Sequence, residues 1–517
     1  MASHTILAAV GAAGFIFLVV KFSTSGKKGS SPPGPKGWPI IGNAGDLATS
    51  PNLVPLFRRW ASEYGPIMQF SILGAKHVII SNEDDAHELL GKRGADYEDR
   101  GTPYAMRRFT RDLNPALMDK SDTWRRQRKL IHSVVSISAT KKYLDFMADE
   151  ATLTLSRLVD NPTDYRNYFL GYCYSVLTRI LMGFSVDSAE HPFVVKHETE
   201  ITKGLEFFRP DKYPSNLFPF LGRLPAWLVP SNAYIDEQSE NYHQMLVQVR
   251  QDMADAIENG TAKESALRHF MLNRKDFDLT DDEADYTFSS LLGGGTRSPY
   301  NGMLTILYLM MKYPEWQQRL QNSIDEVVGS DRLPDMADIP QLPVVRAIVK
   351  ESIRYRSVVA EIGIPRRLRK ENGDSYKGFY FAPDTTFHSN FGEILMDKDL
   401  YPDQQEFNPA RWLDPSYPTY KEPLTQYPNC QNFAPFGYGR RSCPGYHVAE
   451  MTMVIMVARL AWCCTVKRPI DPATKKPVEL KVEYEPVPNP GLLPFPCEIV
   501  PRQGRGEVVK AAAQRVE

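Results

Sequence analysis

The stretch that most constrains this chain is Phe436–Gly445, which reads FGYGRRSCPG. Its glycines let the backbone turn tightly and direct N–H groups toward the sulfur of Cys443. These donors and the two preceding arginines favour a charged thiolate over a thiol. A cysteine thiolate is one of the axial ligands by which proteins hold haem iron. The alternative interpretation is a buried structural cysteine in a glycine-rich turn.

The same stretch resembles the haem-binding signature of the cytochrome P450 family, F-x-x-G-x-R-x-C-x-G. The residues at its five fixed positions are Phe436, Gly439, Arg441, Cys443 and Gly445. The resemblance implies a b-type haem (heme b) whose iron takes Cys443 as its axial ligand. It also implies that the other four residues bind or surround this cofactor.

The composition is that of an ordinary globular protein. Of 517 residues, 42% are hydrophobic and the formal net charge is −1, so no nucleic-acid partner is expected. No internal repeat is visible, which favours one large domain. The cysteines lack the paired spacing of a metal site or disulfide framework, which favours a reducing compartment. They are Cys173, Cys430, Cys443, Cys463, Cys464 and Cys497.

Residues 1–29 are predicted to be a membrane anchor. The apolar run Ile6–Val20 would span about 22 Å as a helix, against roughly 30 Å of hydrocarbon, and Lys21 can reach the headgroups. No basic residue precedes the run, which disfavours the alternative, a cleaved signal peptide. The lysines that follow predict a single-pass protein with a cytosolic body. For this family the membrane implied is that of the endoplasmic reticulum.

Residues 30–43 are too rich in proline to form a helix. They resemble the family's proline-rich hinge, and a plain linker is the alternative. Residues 44–505 are then the catalytic domain, with a cytochrome P450 fold that is mainly α with small β-sheets. Alternating residues predict strand pairs within 67–80 and 378–387, and residues 506–517 are predicted to be a disordered tail.

Trp124 and Arg128 lie four residues apart in a predicted helix and share one face. The pair resembles the W-x-x-x-R of the family's C-helix, which implies that both side chains reach a haem propionate. Arg366 falls where the family often places a basic residue on the second propionate. An ordinary amphipathic helix is the alternative for the pair.

Three further basic residues make this helix strongly positive: Arg125, Arg126 and Lys129. The resemblance implies that this surface docks an acidic electron donor, the NADPH-cytochrome P450 reductase. Opposite charge would steer such an encounter.

Glu351 and Arg354 are three residues apart in a helical run and resemble the family's E-x-x-R motif. Arg411 falls in FNPARW, which resembles the partner motif F-x-P-x-R-[FW]. We interpret all three as structural, with loss of the buried network costing on the order of 3–5 kcal/mol. The alternative is an exposed helix pair.

A capping box at Thr280 and Glu283 predicts the start of a long helix that runs to about Lys312. Its segment 294–299, GGTRSP, aligns with the family's [AG]-G-x-[DE]-T-[TS], but Arg297 replaces the acid and Ser298 the threonine. The family uses that acid–alcohol pair to deliver protons for oxygen activation. We hypothesise that Arg297 pairs with Glu361 or with a substrate carboxylate. Alternatively, Arg297 points away and water delivers the protons.

Residues 204–230 are rich in aromatic residues and fall on the family's F–G loop, which contacts lipid and admits apolar substrate. Ordinary core packing is the alternative. The resemblance as a whole implies NADPH-dependent monooxygenation of an apolar small molecule, such as a fungal terpenoid or polyketide. Redox-neutral rearrangement or dehydration on the same haem, and haem binding with little turnover, remain alternatives.

Overall fold

The fold is described from a computed structural model of the chain. The structure describes residues 29–50, 53–210, 212–356, 364–420, 430–481, 483 and 491–516. The α-helices are α1 (Ala44–Ala48), α2 (Leu53–Tyr64), α3 (Glu83–Ala86), α4 (Tyr104–Phe109), α5 (Asp122–Val135), α6 (Ile137–Thr140), α7 (Leu144–Asp160), α8 (Tyr165–Met182), α9 (Pro192–Glu206), α10 (Pro230–Glu258), α11 (Ala266–Leu272), α12 (Asp281–Lys312), α13 (Pro314–Val328), α14 (Pro343–Tyr355), α15 (Phe391–Ile394), α16 (Tyr446–Cys463) and α17 (Arg505–Ala513). The strands are β1 (Ile67–Ile72), β2 (Ala75–Ile80), β3 (Arg366–Arg367), β4 (Asp374–Tyr376), β5 (Phe379–Phe381), β6 (Thr386–Ser389), β7 (Cys464–Lys467) and β8 (Glu498–Pro501).

The long helix α12 begins where the sequence predicts. The Thr280 hydroxyl accepts from the Glu283 backbone N–H at 3.2 Å, and the Glu283 carboxylate accepts from the Thr280 N–H at 2.9 Å. This reciprocal cap satisfies two donors that a helix start leaves unpaired. The helix continues through Pro299 to Lys312, so the proline removes one backbone hydrogen bond without ending it.

Two helices that are buried on every side form the centre of the core. Every residue from 299 to 311 of α12 is buried, as is every residue from 450 to 463 of α16. A helix that is apolar all round is stable only when other elements surround it. Accordingly, α12 packs against α8, α16, α14 and α5.

The main sheet has four strands in the order β1-β2-β6-β3. The predicted pair within 67–80 is confirmed as the antiparallel hairpin β1–β2, with Gly74 at a φ of +84° in its turn. The prediction of a second pair within 378–387 is wrong. There β5 pairs with β4, while β6 runs parallel to β2 and antiparallel to β3.

The predicted disordered tail at 506–517 is also wrong for the residues described. Helix α17 packs on α7, with the Val509 side chain fully buried and Ala513 nearly so. The Arg505 guanidinium lies 4.2 Å from the Trp462 ring and 3.0 Å from the Asp325 carboxylate. This segment is charged and rich in alanine, so its apolar face becomes recognisable only against the surface of α7.

The proline-rich segment 30–43 lies along β1. The Gln69 N–H donates to the Pro33 carbonyl at 2.8 Å, and the Asn43 N–H donates to Ser71 at 2.7 Å. Within the described ranges, no helix is both long and apolar enough to cross a membrane. The predicted anchor in 1–29 falls almost wholly on residues 1–28, outside those ranges, so it stays a prediction.

Candidate active site

The loop that carries Cys443 closes on itself before α16 begins. The Cys443 N–H donates to the Phe436 carbonyl at 2.7 Å. Gly437 and Gly439 have φ values of +78° and +57°, a backbone conformation that favours glycine. A Cβ at Gly439 would also lie 2.7 Å from the Leu90 carbonyl oxygen. Gly439 therefore lets the loop pack against its neighbour and does not line the cavity described next.

A cavity of about 370 Å³ lies between this loop and α12. The residues of α12 that line it are Ser290, Leu291, Gly294, Gly295, Ser298 and Pro299. The residues singled out in the sequence that also line it are Cys443, Phe436, Gly445, Arg441, Trp124, Arg128 and Arg366. The tertiary structure thus brings together positions that are more than 300 residues apart in the chain.

Two groups close to Cys443, one in its loop and one on α5, favour its thiolate form. Burial raises the pKa of its thiol, while a hydrogen bond from the Gly445 backbone N–H and the positive charge of Arg128 oppose that rise. Cys443 borders this cavity and also a second cavity that opens to solvent. Part of its surface is therefore accessible. A cation bound at the sulfur would complete the stabilisation of the thiolate.

Four arginines, Arg100, Arg128, Arg366 and Arg441, converge on the cavity. Arg441 donates to the backbone carbonyls of Glu98, Pro115 and Met118. Arg366 donates to the carbonyls of Leu90 and Tyr438. These two guanidinium groups therefore fasten the surrounding loops.

Arg100 and Arg128 retain hydrogen-bonding capacity. The Nε of Arg100 is buried without a partner among the described residues, and its Nη1 donates weakly to the Ile364 carbonyl at 3.2 Å. The guanidinium group of Arg128 forms no hydrogen bond within the described part of the chain. Burial and the charges of the other three arginines lower the pKa of Arg100 well below its usual value. An excess of buried positive charge calls for an anionic ligand.

These residues fit a haem. Cys443 would bind the iron, and the two propionates would neutralise the excess charge through the open donors of Arg100 and Arg128. Arg100 was not predicted to be a site residue. It begins a basic, irregular stretch before α5, which was the one signal in the sequence. That its side chain points into the cavity depends on the tertiary fold.

The contact of Trp124 differs from the one implied by the resemblance. Its indole N–H donates to the Pro115 carbonyl at 3.2 Å, so that donor is not free for a propionate. Its ring instead lies 4.1 Å from the Arg441 guanidinium and 5.9 Å from that of Arg128. Trp124 therefore orients two cavity arginines through cation–π contacts.

Glu351, Arg354 and Arg411 meet in a fully buried network. The Glu351 carboxylate accepts from Arg354 at 2.8 and 2.9 Å and from Arg411 at 3.3 Å. The Trp412 indole N–H and the Asn408 backbone N–H, which the sequence analysis did not single out, each add a hydrogen bond at 3.0 Å. None of these five residues lines the cavity. The geometry agrees with the structural interpretation and excludes the exposed helix pair.

Arg297 contacts an acid that the sequence analysis did not consider. Its Nε donates to the Glu198 carboxylate of α9 at 2.9 Å, and the Tyr174 hydroxyl donates to the same carboxylate at 2.6 Å. Arg297 does not line the cavity, which favours this contact over the hypothesised one with a substrate carboxylate. Glu361, the other predicted partner, lies outside the described residues. Ser298, by contrast, faces the cavity.

A sequence model of the family Cytochrome P450 matches residues 32–479. The chain belongs to the cytochrome P450 family. Like other P450s, it is a haem-thiolate monooxygenase, and Cys443 is the axial ligand of its haem.

Fungal P450 monooxygenases are similar over nearly the whole chain. Cytochrome P450 monooxygenase psoD of Aspergillus fumigatus is 47% identical over 487 residues, which cover 94% of this chain and 93% of that protein. Cytochrome P450 monooxygenase virE of Hypocrea virens is 29% identical over 496 residues, 94% of this chain and 87% of that protein. A solved zebra fish cytochrome P450 with progesterone shares the fold, with a TM-score of 0.69 at 20% identity over 87% of this chain and 99% of that one.

Proposed function

We propose that this P450 monooxygenase oxidises an apolar small molecule of secondary metabolism, such as a terpenoid or polyketide. Electrons would come from NADPH through NADPH-cytochrome P450 reductase at the endoplasmic reticulum membrane. The substrate class is inferred from the wall of the cavity, in which apolar side chains dominate apart from four arginines and a few hydroxyls. Its apolar residues include Leu177, Ile180, Leu291, Ile364 and Phe391.

Bound haem supplies the activation of dioxygen and the transfer of one oxygen atom to substrate. Ser298 is the residue of α12 best placed to help with protons, because its hydroxyl faces the cavity and has no hydrogen-bond partner among the described residues. Arg297 cannot donate a proton at neutral pH and is engaged by Glu198. We therefore assign proton delivery to Ser298 together with water.

The surface of α5 supports the proposed reductase contact. Arg125 and Lys129 are exposed on this helix, while Arg128 of the same helix lines the cavity with Cys443. Arg125 pairs with Asp122 at 2.5 Å and Lys129 donates to the Asp276 carbonyl at 2.7 Å. Arg126 is less exposed and pairs with Glu283 at 3.1 Å. An acidic partner would be drawn to this face by charge complementarity.

The segment between α9 and α10 supports membrane contact. The alternative of core packing holds for Phe207 and Tyr213, which are buried. Phe220 and Trp227, however, are 62% and 78% exposed. Large exposed aromatic side chains in one segment suit the lipid interface.

The test is expression in a yeast host that supplies reductase, fed with extract of the source organism under heavy-isotope dioxygen. A new product that carries one heavy oxygen, and is absent with Cys443→Ala, is the expected result.

Two other outcomes would contradict monooxygenation. A new product without the label would favour rearrangement or dehydration, the alternative that the missing acid at Arg297 supports. Bound haem without oxygen use in the presence of reductase would favour a haem-binding protein with little turnover.

A further inference from the structure

The face of α12 that lines the cavity carries two hydroxyls. Ser290, Gly294 and Ser298 recur at intervals of four residues, which places them on one helical face, and all three line the cavity. The two serines are eight positions apart, or about 12 Å along the helix axis. Between them, a Cβ at Gly294 would meet nothing within 4 Å among the described residues. The space beside Gly294 can therefore receive the body of a ligand.

The hydroxyl of Ser290 is free to bind such a ligand. Some other hydroxyls of α12 are engaged within the protein: Thr287 and Thr305 donate to the carbonyls four residues earlier, at 2.7 and 2.8 Å. Ser289, the neighbour of Ser290, is hydrogen-bonded to the Tyr242 hydroxyl. The side-chain hydroxyl of Ser290 has no hydrogen-bond partner in the part of the chain that the structure describes.

An unpaired hydroxyl in an apolar wall is costly unless a ligand or water satisfies it. Ser290 lies beside Leu291 in the cavity lining. Its hydroxyl both donates and accepts hydrogen bonds. It therefore suits a carbonyl or hydroxyl oxygen on a ligand that is otherwise apolar.

We propose that Ser290 determines substrate specificity by binding an oxygen atom of the substrate. The inference rests on the proposed function and narrows its substrate class to apolar molecules that already carry a carbonyl or hydroxyl group. This oxygen lies at the Ser290 end of the cavity, and the reacting carbon lies toward Ser298. The position on the substrate that is oxidised is then set by its distance from the oxygen that Ser290 holds.

The test uses fluorene and 9-fluorenone, two rigid molecules of nearly the same shape. They differ only at one carbon, which is a methylene group in fluorene and a carbonyl group in 9-fluorenone. Each is titrated into the haem-loaded protein without NADPH or reductase, and binding is followed by the shift of the haem absorption band. Because one net hydrogen bond is at stake, wild type should bind fluorenone roughly fivefold more tightly than fluorene. Ser290→Ala should abolish this preference by weakening fluorenone alone, and Ser290→Thr should retain it.

Ser289→Ala is the matched control, because it removes a hydroxyl from the same helix outside the cavity and should leave the preference unchanged. A wild-type protein that binds fluorenone no better than fluorene, or that binds neither, overturns the proposal, as does a preference that survives Ser290→Ala. The haem–carbon monoxide spectrum separates this failure from failure of the proposed function. A thiolate-haem spectrum without a fluorenone preference refutes only the role of Ser290.

Discussion

At the scale of single residues, the contact between Arg297 and Glu198 explains how a basic residue is tolerated beside the oxygen-activating segment. The two residues are 99 positions apart in the chain, and each side chain keeps part of its surface exposed. Arg297 thus joins α12 to α9 and takes no place in the cavity. Glu198 on α9 therefore compensates the positive charge of Arg297 on α12.

A double-mutant cycle tests this contact. Arg297→Leu and Glu198→Leu should each lower the free energy of unfolding by about 1–2 kcal/mol, because each removes the ion pair between these two partly buried side chains. The double variant should lose less than the sum of the two, by about 1 kcal/mol. Denaturant unfolding measures all four proteins. Additive losses would mean that the two side chains do not interact.

Arg100 is expected to hold haem through its charge. Arg100→Gln should speed haem loss about tenfold or more, because one charge-assisted hydrogen bond to a propionate disappears. Haem transfer to apomyoglobin measures the rate. Arg107→Gln is the control, since Arg107 pairs with Asp112 outside the cavity. With haem dimethyl ester, whose propionates are neutral, wild type and Arg100→Gln should lose haem at similar rates, and an undiminished difference would contradict the assignment.

At the scale of elements, two histidines join the strands β2 and β6. His77 Nδ1 and His388 Nε2 lie 3.0 Å apart, and the Phe70 ring stacks on His77 with centroids 5.0 Å apart. Burial lowers the pKa of His77 to about 4, and burial together with the charge of His77 lowers that of His388 to about 3. The folded protein therefore holds both rings neutral at pH values where the unfolded chain binds protons.

The sign of the pH dependence follows from these depressed values. The two neutral histidines contribute their full share of the free energy of unfolding above about pH 6.5, and this share is lost as the pH falls toward 4. At pH 5.5 the loss should be about 1–1.5 kcal/mol per histidine. The double variant His77→Gln/His388→Gln should not show this loss, while it keeps hydrogen-bonding groups on both strands. The loss is measured as the difference between the free energies of unfolding at pH 7.5 and pH 5.5. His132→Gln, at an exposed position, is the control and should show the same loss as wild type. Equal losses in wild type and the double variant would exclude the histidines as the cause.

At the scale of the whole molecule, the C-terminal helix α17 closes the packing around α7. Val509→Ala should lower the free energy of unfolding by about 2 kcal/mol, because it removes buried methyl groups and leaves a cavity. Val195→Ala, at a position that is 51% exposed, should change it by less than about 0.5 kcal/mol. Thermal or denaturant unfolding distinguishes the two. If Val509→Ala lowers the free energy of unfolding as little as Val195→Ala does, α17 is not part of the cooperative core.

Features that depend on residues close together in the chain could be predicted from the sequence alone. The cysteine loop, the cap at Thr280 and the β1–β2 hairpin each depend on spacings of a few residues. Local backbone geometry and short-range hydrogen bonds impose such patterns directly. The Glu351–Arg354 pair belongs to the same class, since three residues along a helix place both on one face.

Which distant residues meet could be seen only in the folded chain. The partner of Arg297, the direction of Arg100 into the cavity and the packing of α17 on α7 all join segments far apart in the chain. No periodicity encodes these contacts, because each depends on how whole helices pack and on which charges that packing leaves without solvent. The roles of Arg100 in the site and of Val509 in the fold depend on their burial, and burial is a property of the folded molecule.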